Sequence, residues 1–186
     1  MTDIHTLPTD LPVPLDDGAC AHLTGQPWPA LALPGTDGRT HDLAALPGRT
    51  VVYAYPRTAR PDQTMPDDWD LIPGARGCTP QSCAFRDHHA ELQAAGARVF
   101  GLSVQDTAYQ REAAGRLHLP FPLLSDAAGD LTRALRLPTF TAGGEKLLRR
   151  VTLIVRDGVI EQVFYPVFPP DRNAGDVLAW LADHSV

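Results

Sequence analysis

The residues best suited to chemistry in this chain are its three cysteines, Cys20, Cys78 and Cys83. Two of them lie close together, in the segment Gly77-Cys-Thr-Pro-Gln-Ser-Cys83. An odd number of cysteines with one close pair is unlike the disulfide framework of a secreted protein and favours redox or metal chemistry. We therefore take Cys78 and Cys83 as the candidate reactive pair, and Cys20, which matches no motif, as an incidental free thiol.

The sequence around Cys78 favours an ionised, nucleophilic sulfur. A helix is predicted to begin at residue 78 or 79, with Pro80 in its first turn, where a missing N–H costs nothing. A helix terminus stabilises an anion by about 0.3–1 kcal/mol, or about 2 kcal/mol when partly buried. Lowering the pKa of a thiol from about 8.5 to about 6 takes roughly 3.4 kcal/mol. We therefore expect a cation nearby. Arg76 is adjacent, but a buried arginine from another strand would serve better.

The spacing of Cys78 and Cys83 limits how they can pair. Five residues of intact helix separate their Cα atoms by about 8.7 Å, whereas a disulfide requires about 4.4–6.8 Å. Pairing would therefore require the start of the helix to unwind. Our hypothesis is that oxidation unwinds it and that Cys83 resolves a sulfenic acid on Cys78.

Other interpretations of these residues remain open at this point. A zinc site built from Cys78, Cys83, His88 and Cys20 is conceivable, although its spacing matches no usual ligand pattern. His88 and His89 point about 100° apart on a helix, which makes them poor joint ligands. A thiol–disulfide oxidoreductase would normally carry Cys-x-x-Cys, which is absent. A redox-sensing or zinc-stabilised binding module without turnover is the further alternative.

Alternating strand and helix patterns must position these side chains. We predict buried strands at 50–55 and 98–103, and a helix from about 78 to Gly96. Later elements are a helix at 107–117, a short helix at 127–135, a hairpin at 149–156 and 159–163, and a closing helix at 171–182. This order is typical of an α/β protein with a mixed central sheet flanked by helices.

The chain is expected to form one domain after a short arm. Residues 1–24 are rich in Pro and Asp without periodicity, which predicts an N-terminal arm, in part disordered, before a domain at 25–186. Residues 57–77 are irregular and dense in Pro, Asp and Gly. Loops of this length are often functional. Trp69 is expected to anchor this loop by packing.

Composition excludes several classes of protein. The 186 residues are 44% hydrophobic and 20% charged, with a net charge of −6, which is ordinary for a globular protein and unlike a nucleic-acid binder. We find no apolar run long enough for a bilayer and no secretory signal, so a cytoplasmic location is the expectation.

The segment 77–87 resembles the active-site helix of the peroxiredoxin Q, or bacterioferritin comigratory protein, branch of the peroxiredoxins. Further segments resemble the signatures of that branch in the expected order: 25–33, 99–106, 119–126 and 150–158. The resemblance implies a thioredoxin-like fold, a hydroperoxide substrate and a thioredoxin-like or glutaredoxin-like reductant. It implies no metal or organic cofactor, no nucleic-acid or membrane partner, and a monomer or homodimer.

The same resemblance assigns roles to individual residues. Cys78 would be the peroxidatic cysteine, Cys83 the resolving one, and Arg150 the arginine that binds peroxide and steadies the thiolate. Supporting positions would be Pro56, Arg76, Thr79 and Gln81.

Three positions depart from the family pattern. The usual Thr three residues before the peroxidatic cysteine is Ala75, the usual Pro is Leu71, and a helix Glu is Gln81. An insertion also separates Pro56 from Cys78. A hydroxyl that replaces the missing one could come from Thr58, Thr64 or Thr79.

Overall fold

Nine strands and five α-helices make up the described part of the chain. The structure, a computed structural model, describes residues 5–185. In chain order the elements are β1 (Ala32–Pro34), β2 (Thr40–Asp42), β3 (Arg49–Ala54), α1 (Cys78–Asp87), α2 (His89–Ala94), β4 (Ala97–Ser103), α3 (Thr107–Arg116), β5 (Leu123–Ser125), α4 (Asp130–Leu135), β6 (Thr139–Ala142), β7 (Glu145–Leu148), β8 (Val151–Arg156), β9 (Val159–Phe164) and α5 (Asn173–Asp183). None of these helices is long and apolar enough to cross a membrane.

A five-stranded mixed sheet forms the centre of the fold, in the order β5-β4-β3-β8-β9. β3, β4 and β5 run parallel, whereas β8 is antiparallel to both β3 and β9. β1 pairs with β2, and β6 with β7, as separate hairpins. The predicted α/β architecture with a mixed central sheet is therefore confirmed.

The two faces of the sheet carry separate cores, because successive strand residues point in opposite directions. Val52 and Ala54 of β3 pack into the first core, with Leu131 and Leu135 of α4. Val51, Tyr53 and Tyr55 pack into the second core, with Phe85, Val177 and Leu181 from helices α1 and α5. We call these two sides the α4 face and the α1 face.

Most of the helices and strands lie within a few residues of their predicted positions. The predicted hairpin forms across Asp157 and Gly158, whose φ angles of 50° and 79° suit a two-residue turn. The long helix predicted from 78 to Gly96 is instead two helices that meet at His88, where φ is −96° and ψ is 8°. These dihedral angles lie outside the helical range, so α1 ends before His88 and α2 begins after it.

The hairpin of β6 and β7 was not predicted. Its sequence signal is Gly143-Gly144, both with positive φ, which is typical of a tight hairpin turn. The hairpin supports the irregular loop at 57–77, because Trp69 packs in a small third core with Ala142 and Leu147. Trp69 is 4% exposed, as expected of a packing anchor.

Part of the predicted N-terminal arm belongs to the core. Cys20 and Leu23 are buried on the α4 face, although both precede the predicted domain boundary at residue 25. Each reaches the core as a single side chain from irregular backbone, so no periodic pattern in the sequence predicts their burial. Residues 1–4 of the predicted arm lie outside the described residues.

Candidate active site

Cys78 is the first residue of α1, and its side chain is almost fully buried at 3% exposure. Gly77, which precedes it, has a φ of 111°. A Cβ at Gly77 would lie 2.3 Å from Pro170 Cγ and 2.9 Å from Leu7 Cδ2. Both the backbone conformation and the close approach therefore require glycine, and they fix where the helix begins.

Arg150 approaches this sulfur from the strand hairpin. Its Nη2 lies 3.3 Å from Cys78 Sγ, and the arginine is 3% exposed. Arg150 immediately precedes β8, and the alternation of that strand places it on the same side as Thr152 and Ile154, the α1 face. The expected buried arginine from another strand is therefore present beside Cys78.

The guanidinium of Arg150 is otherwise held by uncharged oxygens. It donates to the carbonyls of Gly74 at 3.3 Å, Ala75 at 3.1 Å and Arg76 at 3.4 Å, and to Gln81 Oε1. These acceptors fix the orientation of the Arg150 guanidinium without neutralising its charge. The full positive charge is therefore available to stabilise a thiolate at Cys78.

Of the other sequence-predicted residues, Arg76 contacts this pair. The Arg76 guanidinium pairs with Asp70 at 3.1 Å, while the Arg76 carbonyl accepts from Arg150. Pro56 is buried two residues after the end of β3. Arg76 thus supports the site through its backbone.

The position where a family Thr was expected is used for packing. Ala75 is fully buried, and it packs in the third core with Trp69, Ala142 and Leu147. Its carbonyl accepts from Arg150, and Cys78 Sγ lies 3.7 Å from the same oxygen. At this position the chain therefore supplies a backbone carbonyl and a packed methyl group, and no hydroxyl.

The three threonines considered as replacements have different surroundings. Thr58 is buried, but its hydroxyl donates to Gln105 Oε1 at 3.4 Å. Thr64 is exposed. Thr79 is buried directly after Cys78. Both Thr79 and Thr64 line a cavity beside Cys78, so either hydroxyl borders that space.

A cavity of about 850 Å³ opens beside Cys78. The amino end of α1 forms one wall, and the loop at 57–77 forms the other with Met65, Pro66 and Trp69. A water molecule occupies about 30 Å³, and organic ligands fill cavities of about 300–1,000 Å³. The cavity therefore has room for a hydroperoxide with an organic body.

Helix α1 is held on the sheet by aromatic packing. Phe85 stacks on Tyr53 with ring centres 4.5 Å apart, and the Tyr53 hydroxyl donates to Ser82 Oγ at 3.0 Å. Burial raises the pKa of Tyr53, so the hydroxyl keeps the proton it donates. These contacts stabilise the closed helical form.

The other two cysteines have contrasting positions. Cys83 is partly buried on α1, and all three thiols are free. Burial raises the pKa of Cys83. Cys20 lies on the α4 face, where burial and then Asp17 and Asp16 raise its pKa to about 12. The sheet separates Cys20 from Cys78, so the structure does not bring together the zinc ligands considered from sequence.

Sequence reasoning missed two polar residues behind the site. Asn173, the first residue of α5, accepts from Gln81 Nε2 at 3.0 Å and from the Thr152 hydroxyl at 2.7 Å. The available signal was spacing, because Asn173 lies four residues before the apolar Val177 and hence on the same buried helix face.

Known proteins match both the sequence and this geometry. The profile of the Redoxin family matches residues 23–178. Chloroplastic peroxiredoxin Q of Oryza sativa subsp. japonica is 33% identical over 159 residues, which cover 84% of this chain and 65% of the relative. The chloroplastic peroxiredoxin Q of Populus jackii is 31% identical, with 84% and 67% covered. The chain thus spans about two thirds of the length of these plant relatives.

Solved structures of related proteins also superpose on this chain. Peroxidoxin BcpB from Mycobacterium tuberculosis superposes with a TM-score of 0.70 at 26% identity, covering 87% of this chain and 98% of that one. Peroxiredoxin Q of Xanthomonas campestris superposes with a TM-score of 0.66 at 24% identity, covering 96% and 100%. At 24% identity, the match to the Xanthomonas campestris structure supports the fold alone.

Proposed function

Because the chain belongs to the peroxiredoxin Q-like branch of the Redoxin family, we propose that it is a thiol peroxidase that reduces hydroperoxides through Cys78. The predicted thioredoxin-like fold is confirmed by the structural neighbours. The observation that carries the proposal is the contact of 3.3 Å between Arg150 Nη2 and Cys78 Sγ at the amino end of α1.

The proposed reaction begins with attack of the Cys78 thiolate on one peroxide oxygen. An S–O bond forms as the O–O bond breaks, and the departing hydroxide or alkoxide takes up a proton from solvent. Arg150 and the unpaired N–H groups of α1 stabilise the negative charge that shifts onto the departing oxygen. The product on the enzyme is the Cys78 sulfenic acid.

Cys83 is the proposed resolving residue. Its thiolate attacks the sulfenic sulfur, an S–S bond forms, and hydroxide leaves. Since Cys78 and Cys83 both lie in α1, the first turns of that helix must unwind before the sulfurs can meet. Unwinding exposes Cys83 and removes the burial that raises its pKa.

The volume of the cavity and the proposed Cys78–Cys83 disulfide support the choice of substrate and reductant. The cavity volume of about 850 Å³ admits hydrogen peroxide as well as organic hydroperoxides. Restoring both thiols requires an external dithiol, for which a thioredoxin-like or glutaredoxin-like protein is the proposed source.

Peroxide consumption with mass-spectrometric mapping of the oxidised thiols tests this proposal. We expect the wild-type protein to consume peroxide and to accumulate a Cys78–Cys83 disulfide while Cys20 stays reduced. Absence of peroxide consumption, or oxidation confined to Cys20, would overturn it.

Replacing Cys83 with serine is expected to leave one turnover per chain and then stop recycling by thioredoxin. The reason is that the sulfenic acid on Cys78 still forms but has no internal thiol to attack it.

In the wild-type protein, disulfide formation should accelerate as pH rises, because the attacking Cys83 must lose its proton. Rapid-quench mass spectrometry across pH measures both effects. Continued turnover of Cys83→Ser at the wild-type rate with thioredoxin as the reductant would contradict the resolving role of Cys83.

Replacing Thr79 with valine is expected to slow the first oxidation of Cys78 by at least about tenfold, because the hydroxyl that we propose contacts the reacting peroxide is lost. Thr79→Ser keeps the hydroxyl and is the matched variant. Stopped-flow measurement of sulfenic acid formation compares the two. Equal rates for the serine and valine variants would show that the hydroxyl takes no part.

A further inference from the structure

A buried chain of hydrogen bonds runs from Arg150 into helix α5. Arg150 Nη1 donates to Gln81 Oε1, Gln81 Nε2 donates to Asn173 Oδ1 at 3.0 Å, and Thr152 Oγ1 donates to the same oxygen at 2.7 Å. None of the four side chains is more than 3% exposed. We call these four residues the amide network. It joins α1, α5 and β8 behind the reactive sulfur.

The amide network has a fixed direction, because the Gln81 side chain has an acceptor on one side and a donor on the other. Asn173 Oδ1 takes the Gln81 N–H, so Gln81 Oε1 faces Arg150. If the Gln81 amide were reversed, its NH2 group would face the N–H groups of Arg150, and no hydrogen bond could form between them. The hydroxyl of Thr152 donates to the same Asn173 oxygen and holds that oxygen in place.

Gln81 also lies inside the part of α1 that separates Cys78 from Cys83. The unwinding that disulfide formation requires must therefore break the bonds of Gln81 to Arg150 and Asn173. The interactions that hold Arg150 beside the sulfur before oxidation thus also hold α1 closed after it.

We propose that Asn173 and Thr152 are positioning residues which, through Gln81, hold Arg150 on the Cys78 thiolate and hold helix α1 closed once the sulfenic acid has formed. The inference rests on the proposed peroxidase function. It requires that weakening the amide network changes the two steps in opposite directions. Oxidation of Cys78 becomes slower, and formation of the Cys78–Cys83 disulfide becomes faster.

The closed helix also decides the fate of the sulfenic acid. While Cys83 is held away, a second hydroperoxide can react with the Cys78 sulfur. Its O–O bond breaks, a second S–O bond forms, and the products are a sulfinic acid and water or an alcohol. A weaker amide network therefore leads to less sulfinic acid at high peroxide.

The sharpest test replaces Thr152 with valine, which keeps the shape of the side chain and removes its hydroxyl. With hydrogen peroxide as the probe, we expect sulfenic acid formation to slow and disulfide formation to accelerate, each by about fivefold, as one neutral hydrogen bond predicts. Asn173→Ala should change both rates further in the same directions. Thr152→Ser should restore most of each rate, and circular dichroism checks that every variant folds.

A matched control is available on the neighbouring strand. Thr50 in β3 is also buried, and its hydroxyl has no hydrogen-bond partner within residues 5–185, so Thr50→Val should leave both rates unchanged. If Thr152→Val leaves both rates at the wild-type values, or moves them in the same direction, the inference is wrong while the peroxidase proposal stands. If the wild-type protein consumes no peroxide, the peroxidase proposal itself fails.

Discussion

Replacing Cys78 with serine is expected to reduce hydroperoxide consumption to the rate without enzyme. The reaction transfers an oxygen atom to sulfur, and a serine hydroxyl at the same place can be neither the nucleophile nor the acceptor of that oxygen. The measurement is peroxide loss with dithiothreitol as reductant, so that recycling does not depend on a particular protein partner.

Two other cysteines provide controls for this variant. Cys20→Ser should keep the wild-type rate, because Cys20 lies on the α4 face, where burial keeps it protonated. Cys83→Ser with dithiothreitol should continue to turn over, since an external thiol can attack the sulfenic acid. Peroxide consumption that persists in Cys78→Ser and disappears in Cys20→Ser would reassign the reaction to the opposite face of the sheet.

Replacing Arg150 with alanine is expected to slow sulfenic acid formation at least about 100-fold, equivalent to about 2.7 kcal/mol or more. The guanidinium lies 3.3 Å from the sulfur and is the positive charge that the helix terminus alone does not replace. Arg150→Lys should fall between alanine and wild type, because it keeps the charge and loses the fork that the carbonyls of Gly74 and Ala75 orient. Stopped-flow oxidation at constant pH compares the three proteins.

Arg149 provides the matched control for Arg150. It is the adjacent arginine, it is partly buried, and its charge acts on Asp17 and Tyr165. Arg149→Ala should therefore oxidise at the wild-type rate. Arg150→Ala should also lose about 1–3 kcal/mol of folding stability from each buried carbonyl that stays unpaired, so chemical denaturation must accompany the kinetics. Equal oxidation rates for the two alanine variants would remove Arg150 from the reaction.

The parts of the site that follow local rules could be predicted from sequence. The Asp157-Gly158 turn marks the β8–β9 hairpin, whereas the role of Arg150 was implied only by the family resemblance. The Gly77-Cys-Thr-Pro segment marks the start of α1. In both the turn and the helix start, a few neighbouring residues determine the backbone.

The parts that depend on distant contacts could not be predicted. The amide network needs α1, β8 and α5 to meet, and none of their sequences specifies the others. The burial of Ala75 depends on Trp69 and on the β6–β7 hairpin, which come from separate segments of the chain. The loop at 57–77 has no periodic pattern, so its place beside Cys78 is set by these packing contacts.

The close approach of Leu7 and Pro170 to Gly77 has a practical consequence for labelling the protein. A label attached near Leu7 would lie beside the start of α1, the segment proposed to open during catalysis. The last residues of α5 lie about 15 Å along that helix from Asn173. A label on the end of α5 is therefore better suited to kinetic work on this protein than a label near Leu7.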